Sequence, residues 1–163
     1  MPVVELLTEI RAPIERVFDL CRSIDAHVAS AQSTGERATG ERAVGGRARG
    51  LMELGDEVTF SARHLGRRWQ LTSRIVAFDR PRYFRDAQVR GVFLRFHHDH
   101  YFELRGEMTV VRDVFDWTSP GGVLGRLADA VVVHRHMRAF LTQRMAVLKQ
   151  LAESEGWRRF LPG

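Results

Sequence analysis

Between Glu57 and Thr118 the chain offers five successive segments rich in β-branched and aromatic residues, with only short breaks between them. They run Glu57 to Leu65, Arg67 to Phe78, Tyr83 to Val89, Leu94 to Arg105 and Met108 to Thr118, and Gly66, Pro81 and Gly106-Glu107 mark three of the breaks. Parallel neighbours need a crossover of a dozen or more residues, so breaks this short leave only an antiparallel meander. Upstream, Val3 to Ile10 alternates as a strand. Pro13 then opens a helix at its first position, with Ile14, Val17, Phe18 and Cys21 on one face, and a second short helix covers Ile24 to Ala31. Downstream, Ser119-Pro120-Gly121-Gly122 breaks the strand pattern and a long helix runs from Val123 to Glu155. On it Ala130, His134, Met137, Leu141, Met145, Leu148 and Ala152 share one side at helical spacing. That side must be covered, and the concave face of the sheet is the available partner. The expected fold is α+β, with the long helix gripped by the sheet. A bent antiparallel sheet of about six to seven strands wraps around the C-terminal helix, with two short helices after the first strand.

Composition narrows the possibilities. A chain of 163 residues with 44% hydrophobic content reads as a single domain over 1–163 with a real core. A lone cysteine, Cys21, rules out an internal disulfide and argues against a thiolate metal cluster. The net charge of +5 raises nucleic acid as a partner. Yet Lys149 is the only lysine, acids are interspersed throughout, and no basic block stands out, so no nucleic-acid partner is expected. The N-terminus carries no signal-peptide pattern, and no apolar run approaches the ~20 residues that span a bilayer. A cytoplasmic protein with no integral membrane segment, a monomer or homodimer, is the expectation. Neither a P-loop nor a dinucleotide glycine pattern is present, and no cofactor is expected.

The segment Phe96-His97-His98-Asp99-His100-Tyr101-Phe102 carries the chemistry. Strand alternation puts Phe96, His98, His100 and Phe102 on one face and His97, Asp99 and Tyr101 on the other. Two imidazoles between two phenyl rings on a buried face need partners, since an unpaired buried polar group costs about 1–3 kcal/mol. Such a set belongs in a polar corner of an apolar pocket. By the same alternation His64, Asp113 and Phe115 reach that pocket from neighbouring strands. Met137 and Leu141 face it from the long helix with His134, which reads either as a hydrogen-bonded core residue or as a contact to a ligand's polar group. His27 and His97 read as exposed. Arg63, Arg68 and Arg74 are either solvated or paired with Asp56, Glu57 or Asp86.

This order of elements resembles the SRPBCC superfamily, the helix-grip fold shared by START lipid-transfer domains, birch-pollen-allergen-like proteins and polyketide cyclases. A bacterial branch labelled cyclase/dehydrase is the nearer likeness. The residues that carry it are Gly55-Asp56-Glu57-Val58-Thr59-Phe60, Ala62-Arg63-His64, Pro81, Phe84, Asp86, Phe96-x-His98-x-His100-x-Phe102, Asp113 and Ser119-Pro120-x-Gly122. The resemblance implies an apolar ligand held between sheet and long helix, with some members catalytic and many only carriers or sensors.

Three functions follow as expectations. The first is a carrier or sensor of a small hydrophobic or amphipathic molecule (a lipid, quinone or polyketide-like compound). It would be contacted by His64, Phe96, His98, His100, Phe102, Asp113, Phe115, His134, Met137 and Leu141. The second is a cyclase or dehydratase with His98, His100 and Asp113 as acid and base. The third is a protein-interaction domain whose cavity its own side chains fill. His98-x-His100 resembles a cupin ligand pair, but Glu103 is too close and Glu107 too far for that pattern. His64 would be the remaining third ligand, and no metal is expected. The Gly35–Gly50 stretch, glycine- and arginine-rich with Gly-Glu-Arg-Ala repeated at 35–38 and 40–43, reads as a mobile turn that gates the pocket.

Overall fold

A computed structural model describes residues 2–31, 37–39 and 47–162, with the side chains at 37, 39, 126 and 128–130 left aside. The proposed gate at Gly35–Gly50 therefore lies mostly outside the described residues, as does the side chain of Ala130. Among the described residues, seven strands form one antiparallel sheet: β1 (Val3–Ile10), β2 (Arg37–Thr39), β3 (Glu57–His64), β4 (Arg67–Asp79), β5 (Tyr83–Arg90), β6 (Arg95–Arg105) and β7 (Met108–Thr118), in the spatial order β1-β7-β6-β5-β4-β3-β2. The meander expected from 57 to 118 is thus present strand for strand, with β1 closing on β7 and β2 extending the far edge.

Local chemistry explains the connections. Leu65 and Gly66, with φ of 50° and 77°, make the two-residue β3–β4 turn in the left-handed region that matches strand twist. Gln88 hydrogen-bonds the backbone of Phe93 through both its amide atoms and ties down the bend at 91–94, so β6 starts at Arg95. The β4–β5 pairing slips twice, between Thr72 and Ser73 and between Ile75 and Ala77. Val89 and Val76 are the residues passed over, and both are exposed. Such bulges bend a strand and increase its twist.

Between β1 and β2 run α1 (Ile14–Cys21) and α2 (Ile24–Ser30). Pro13 stands one position earlier than expected, at the N-cap of α1. Phe18 on the buried face of α1 meets Phe78, Phe84 and Phe102 edge-on, with ring centroids 5.5, 5.4 and 5.0 Å away. Ser23 caps α2 by accepting the Ala26 amide at 3.2 Å.

The long helix is less uniform than its pattern implies. α3 (Gly122–Ala128) passes through a π-helical turn, Asp129–Val133, into α4 (His134–Glu153), and a 3-10 turn, Glu155–Arg159, follows. Three consecutive β-branched valines, Val131 to Val133, crowd the turn at that point. Only α4 is gripped: Leu141, Arg144, Met145, Leu148 and Ala152 are buried, whereas Val123 and Leu124 are each 79% exposed. The first turns of the helix therefore extend past the sheet. The core falls into two clusters, one around Phe18, Phe84 and Leu148 and one around Phe96, Phe115, Trp117 and Leu141.

Candidate functional site

The two core clusters do not meet edge to edge. Between them lies a cavity of about 120 Å³, walled by Ile24, Phe60, Ile75 and Phe84 from the first cluster and by Phe93, Phe96, Phe115 and Leu141 from the second. One wall is polar. It is made by Asp86 on β5, His98 and His100 on β6 and Arg144 on α4. The β5–β6 register sets Asp86 opposite His98 and Phe84 opposite His100, and the β6–β7 register sets His100 opposite Asp113. One inward face of three strands thus assembles the group, as strand alternation requires.

His100 sits between two carboxylates, its Nε2 3.1 Å from Asp86 Oδ2 and its Nδ1 2.7 Å from Asp113 Oδ1. His98 repeats the arrangement more loosely, its Nε2 3.3 Å from Asp113 Oδ1 and its Nδ1 3.9 Å from Asp86 Oδ2. The two imidazole centroids are 3.9 Å apart. Burial works against the His100 cation, but the Asp113 and Asp86 carboxylates outweigh it and hold its pKa above the ordinary imidazole value. For His98, burial and then the adjacent His100 push the pKa down. Burial opposes ionisation of Asp86 and Asp113, but the imidazoles hold both below the usual carboxylate range. Arg144, only 6% exposed, adds a second cation whose field reaches Asp86. The two carboxylates thus face the imidazoles and a guanidinium, and opposite charge close by is what lets ionised groups tolerate burial.

Of the residues expected here, His64, Phe96, His98, His100, Phe115, Met137 and Leu141 line the cavity. Three do not. Asp113, 2% exposed, stands behind the histidines and supports them. Phe102 packs into the core against Phe18 and Phe84. His134 reaches the Val3 carbonyl with Nε2 at 3.2 Å, because its turn of helix lies beside β1. His64, the proposed third metal ligand, instead bonds His136 through Nδ1 at 2.9 Å and packs against Phe140.

Among the wall residues that sequence reasoning passed over are Asp86, Arg144 and His27. Asp86 shares the inward alternation of Phe84 on β5, and Arg144 falls three residues from Leu141 and four from Leu148 on the buried side of α4. His27, read as exposed, is half-buried and stacks on Phe60 at 4.1 Å. Of the arginines, Arg74 pairs with Glu57, while Asp86 turns inward to the histidines. On the opposite face of β6, Asp99 accepts hydrogen bonds from Tyr83 at 2.5 Å and Arg85 at 2.7 Å.

No protein-family model matches the sequence, and no curated protein is similar to it. Solved structures are similar in fold. A protein of Thermus thermophilus superposes with a TM-score of 0.73 at 17% identity, covering 91% of this chain and 95% of its own. A START superfamily protein of Mycobacterium smegmatis gives 0.67 at 13% identity, over 93% and 97%. The ginseng major latex-like protein 151 of Panax ginseng gives 0.67 at 15%, over 94% and 98%. The sheet, its order and the gripped helix define a START-like helix-grip fold. The chain thus adopts an SRPBCC/START-like fold. Among the described residues, no helix is long and apolar enough to cross a membrane.

Proposed function

We propose that this protein is a carrier or sensor that encloses a small hydrophobic or amphipathic molecule between its sheet and α4, in a single domain spanning 1–163. The observation that carries the reading is the 120 Å³ cavity, apolar on most sides and polar at the Asp86, His98, His100 and Arg144 wall. Binding sites of this kind combine apolar walls with a few convergent polar groups. An apolar cavity of about 150 Å³ accommodates benzene. The enclosed part of the ligand is therefore about one ring or a short acyl segment, such as the headgroup of a quinone, one ring of a polyketide-like compound or part of a lipid. Its polar end meets His98, His100 and Arg144. The space left between the two core clusters argues against an interaction domain with a filled cavity. The same reading places the protein in the cytoplasm, as a monomer or homodimer without a nucleic-acid partner.

A cyclase or dehydratase is the second reading, favoured by one observation: His98 is on the cavity wall, held uncharged by burial and braced by Asp113. Such an imidazole is suited to take a proton from a bound substrate. Native mass spectrometry of protein purified from its own host, with denaturation and identification of what is released, tests the main reading. A co-purifying one-ring or short-chain amphipath supports it. Protein that emerges empty and takes up no hydrophobic fluorescent probe refutes it. Once a ligand is in hand, His98→Ala separates the two readings. A carrier loses modest affinity, whereas an enzyme loses about 100-fold or more in turnover with the cavity still occupied.

A further inference from the structure

The Asp86, His98, His100 and Asp113 cluster has a direction. Each imidazole turns one nitrogen to Asp113 and the other towards Asp86 on the cavity side. His98 Nε2, His100 Nδ1 and both Asp113 oxygens are buried and, among the described residues, have no aligned hydrogen-bond partner, although Asp113 Oδ1 lies within ion-pair distance of both nitrogens. Donor atoms of Asp86, His98 and His100 lie within 4.8 Å of one another. Asp86 Oδ2 is 3.1 Å from His100 Nε2 and 3.9 Å from His98 Nδ1. Donors around a tetrahedral ion with bonds of about 2.0–2.1 Å stand roughly 3.4 Å apart, so these separations straddle the required value.

We propose that Asp86 Oδ2, His98 Nδ1 and His100 Nε2 form a binding site for one divalent first-row transition ion, with Asp113 as the outer carboxylate that orients both histidines. A two-histidine, one-carboxylate set suits zinc, iron or cobalt rather than magnesium or calcium, which take oxygen ligands. Ligating histidines commonly donate their far N–H to a carboxylate, which fixes the tautomer and the ring plane. Asp113 occupies that position for both rings. The ion balances the charges of Asp86 and Asp113, and its open positions face the cavity that those three ligands line. Arg144 then provides an excess positive charge beside the open side, matched to an anionic oxygen such as a carboxylate or enolate. Only that use of the ion as a ligand anchor rests on the ligand-binding reading; the ion site itself does not.

The test uses full-length protein stripped with a chelator and titrated with Zn²⁺ by calorimetry and with Co²⁺ by visible absorption. The expected result is one equivalent bound, a four-coordinate Co²⁺ spectrum without thiolate charge transfer, and paramagnetic shifts on the rings of two histidines. Asp86→Asn and His98→Gln should each weaken binding by about 100-fold or more. Asp113→Asn should cost about 10–100-fold, the usual effect of losing an outer-shell partner. His64→Gln, a control for the half-buried His64–His136 pair, should leave affinity unchanged. Wild-type protein without saturable binding overturns the proposal. So does affinity that survives Asp86→Asn but is lost in His64→Gln. The Co²⁺ spectrum and ring shifts are read on wild-type protein, so they decide the matter even if a variant does not fold.

Discussion

Ile75 is 2% exposed, inward-facing on β4, and part of the cavity wall. Replacing it with phenylalanine adds three carbons to the side chain at a position where strand geometry accepts an aromatic ring. A void of 120 Å³ represents about 3 kcal/mol of unrealised packing at roughly 24 cal/mol per Å³. Three added carbons at about 0.8 kcal/mol each recover most of that, and the cost of a new rotamer leaves a net gain of about 1–2 kcal/mol. For a chain of this size that corresponds to a Tm increase of about 2–8 °C. The same ring occupies the space a ligand needs, so Ile75→Phe should be more stable and fail to bind phenol, a one-ring amphipath, in calorimetric titration. A loss of about 1–3 kcal/mol, the usual penalty for overfilling a packed core, would show that the space is not available. Unchanged phenol uptake by that variant would place the binding site elsewhere. Either result refutes the reasoning.

Two other perturbations probe the frame. Asp19 lies 2.7 Å from both Arg22 Nε and Arg80 Nη2, and although burial opposes its ionisation, these guanidiniums hold its carboxyl below the usual range. Its contribution is therefore complete above the unfolded pKa of ~3.9 and is lost as pH falls through the lower folded value. Asp19→Asn should cost about 1–2 kcal/mol in urea unfolding at pH 7, and the gap from wild type should close in strong acid. Leu65, at φ 50° and 55% exposed, adopts a left-handed conformation without compensating burial. Leu65→Asn should raise Tm by about 2–4 °C, the equivalent of roughly 1 kcal/mol, in a thermal melt.

Most of the fold was legible because its signals are local. The breaks at Gly66, Pro81 and Gly106 allow no crossover, and alternation through Phe96, His98 and His100 assigns their shared face without knowledge of neighbours. The cavity residues contributed by β6 were readable for that reason. Asp86 was not, because which carboxylate faces the histidines depends on the β5–β6 register, a non-local property. Arg144 was hidden by its chemistry: an arginine at a buried helical position looks like a break in the apolar stripe until the Asp86 carboxylate across the cavity wall is seen. His134 misled in the opposite direction. Helical spacing gave its side correctly, but that turn of α4 passes alongside the Val3 carbonyl rather than over the cavity. The extent of the gripped helix was likewise a matter of sheet length, which no period within the helix encodes.

The slips in β4–β5 pairing give the wall an unusual mode of inheritance. Leu71, Ser73 and Ile75 face the cavity, whereas Val76, where the pairing slips, points to solvent and touches nothing that a ligand would touch. Its identity is free to drift, but its presence is not. Deleting that one exposed residue would shift the alternation upstream by a single step and exchange Leu71, Ser73 and Ile75 for Thr72 and Arg74 along the wall. The cavity is thus encoded partly as a count. Gaining or losing one solvent-facing residue here would change the pocket's shape even with Leu71, Ser73 and Ile75 all retained in the sequence.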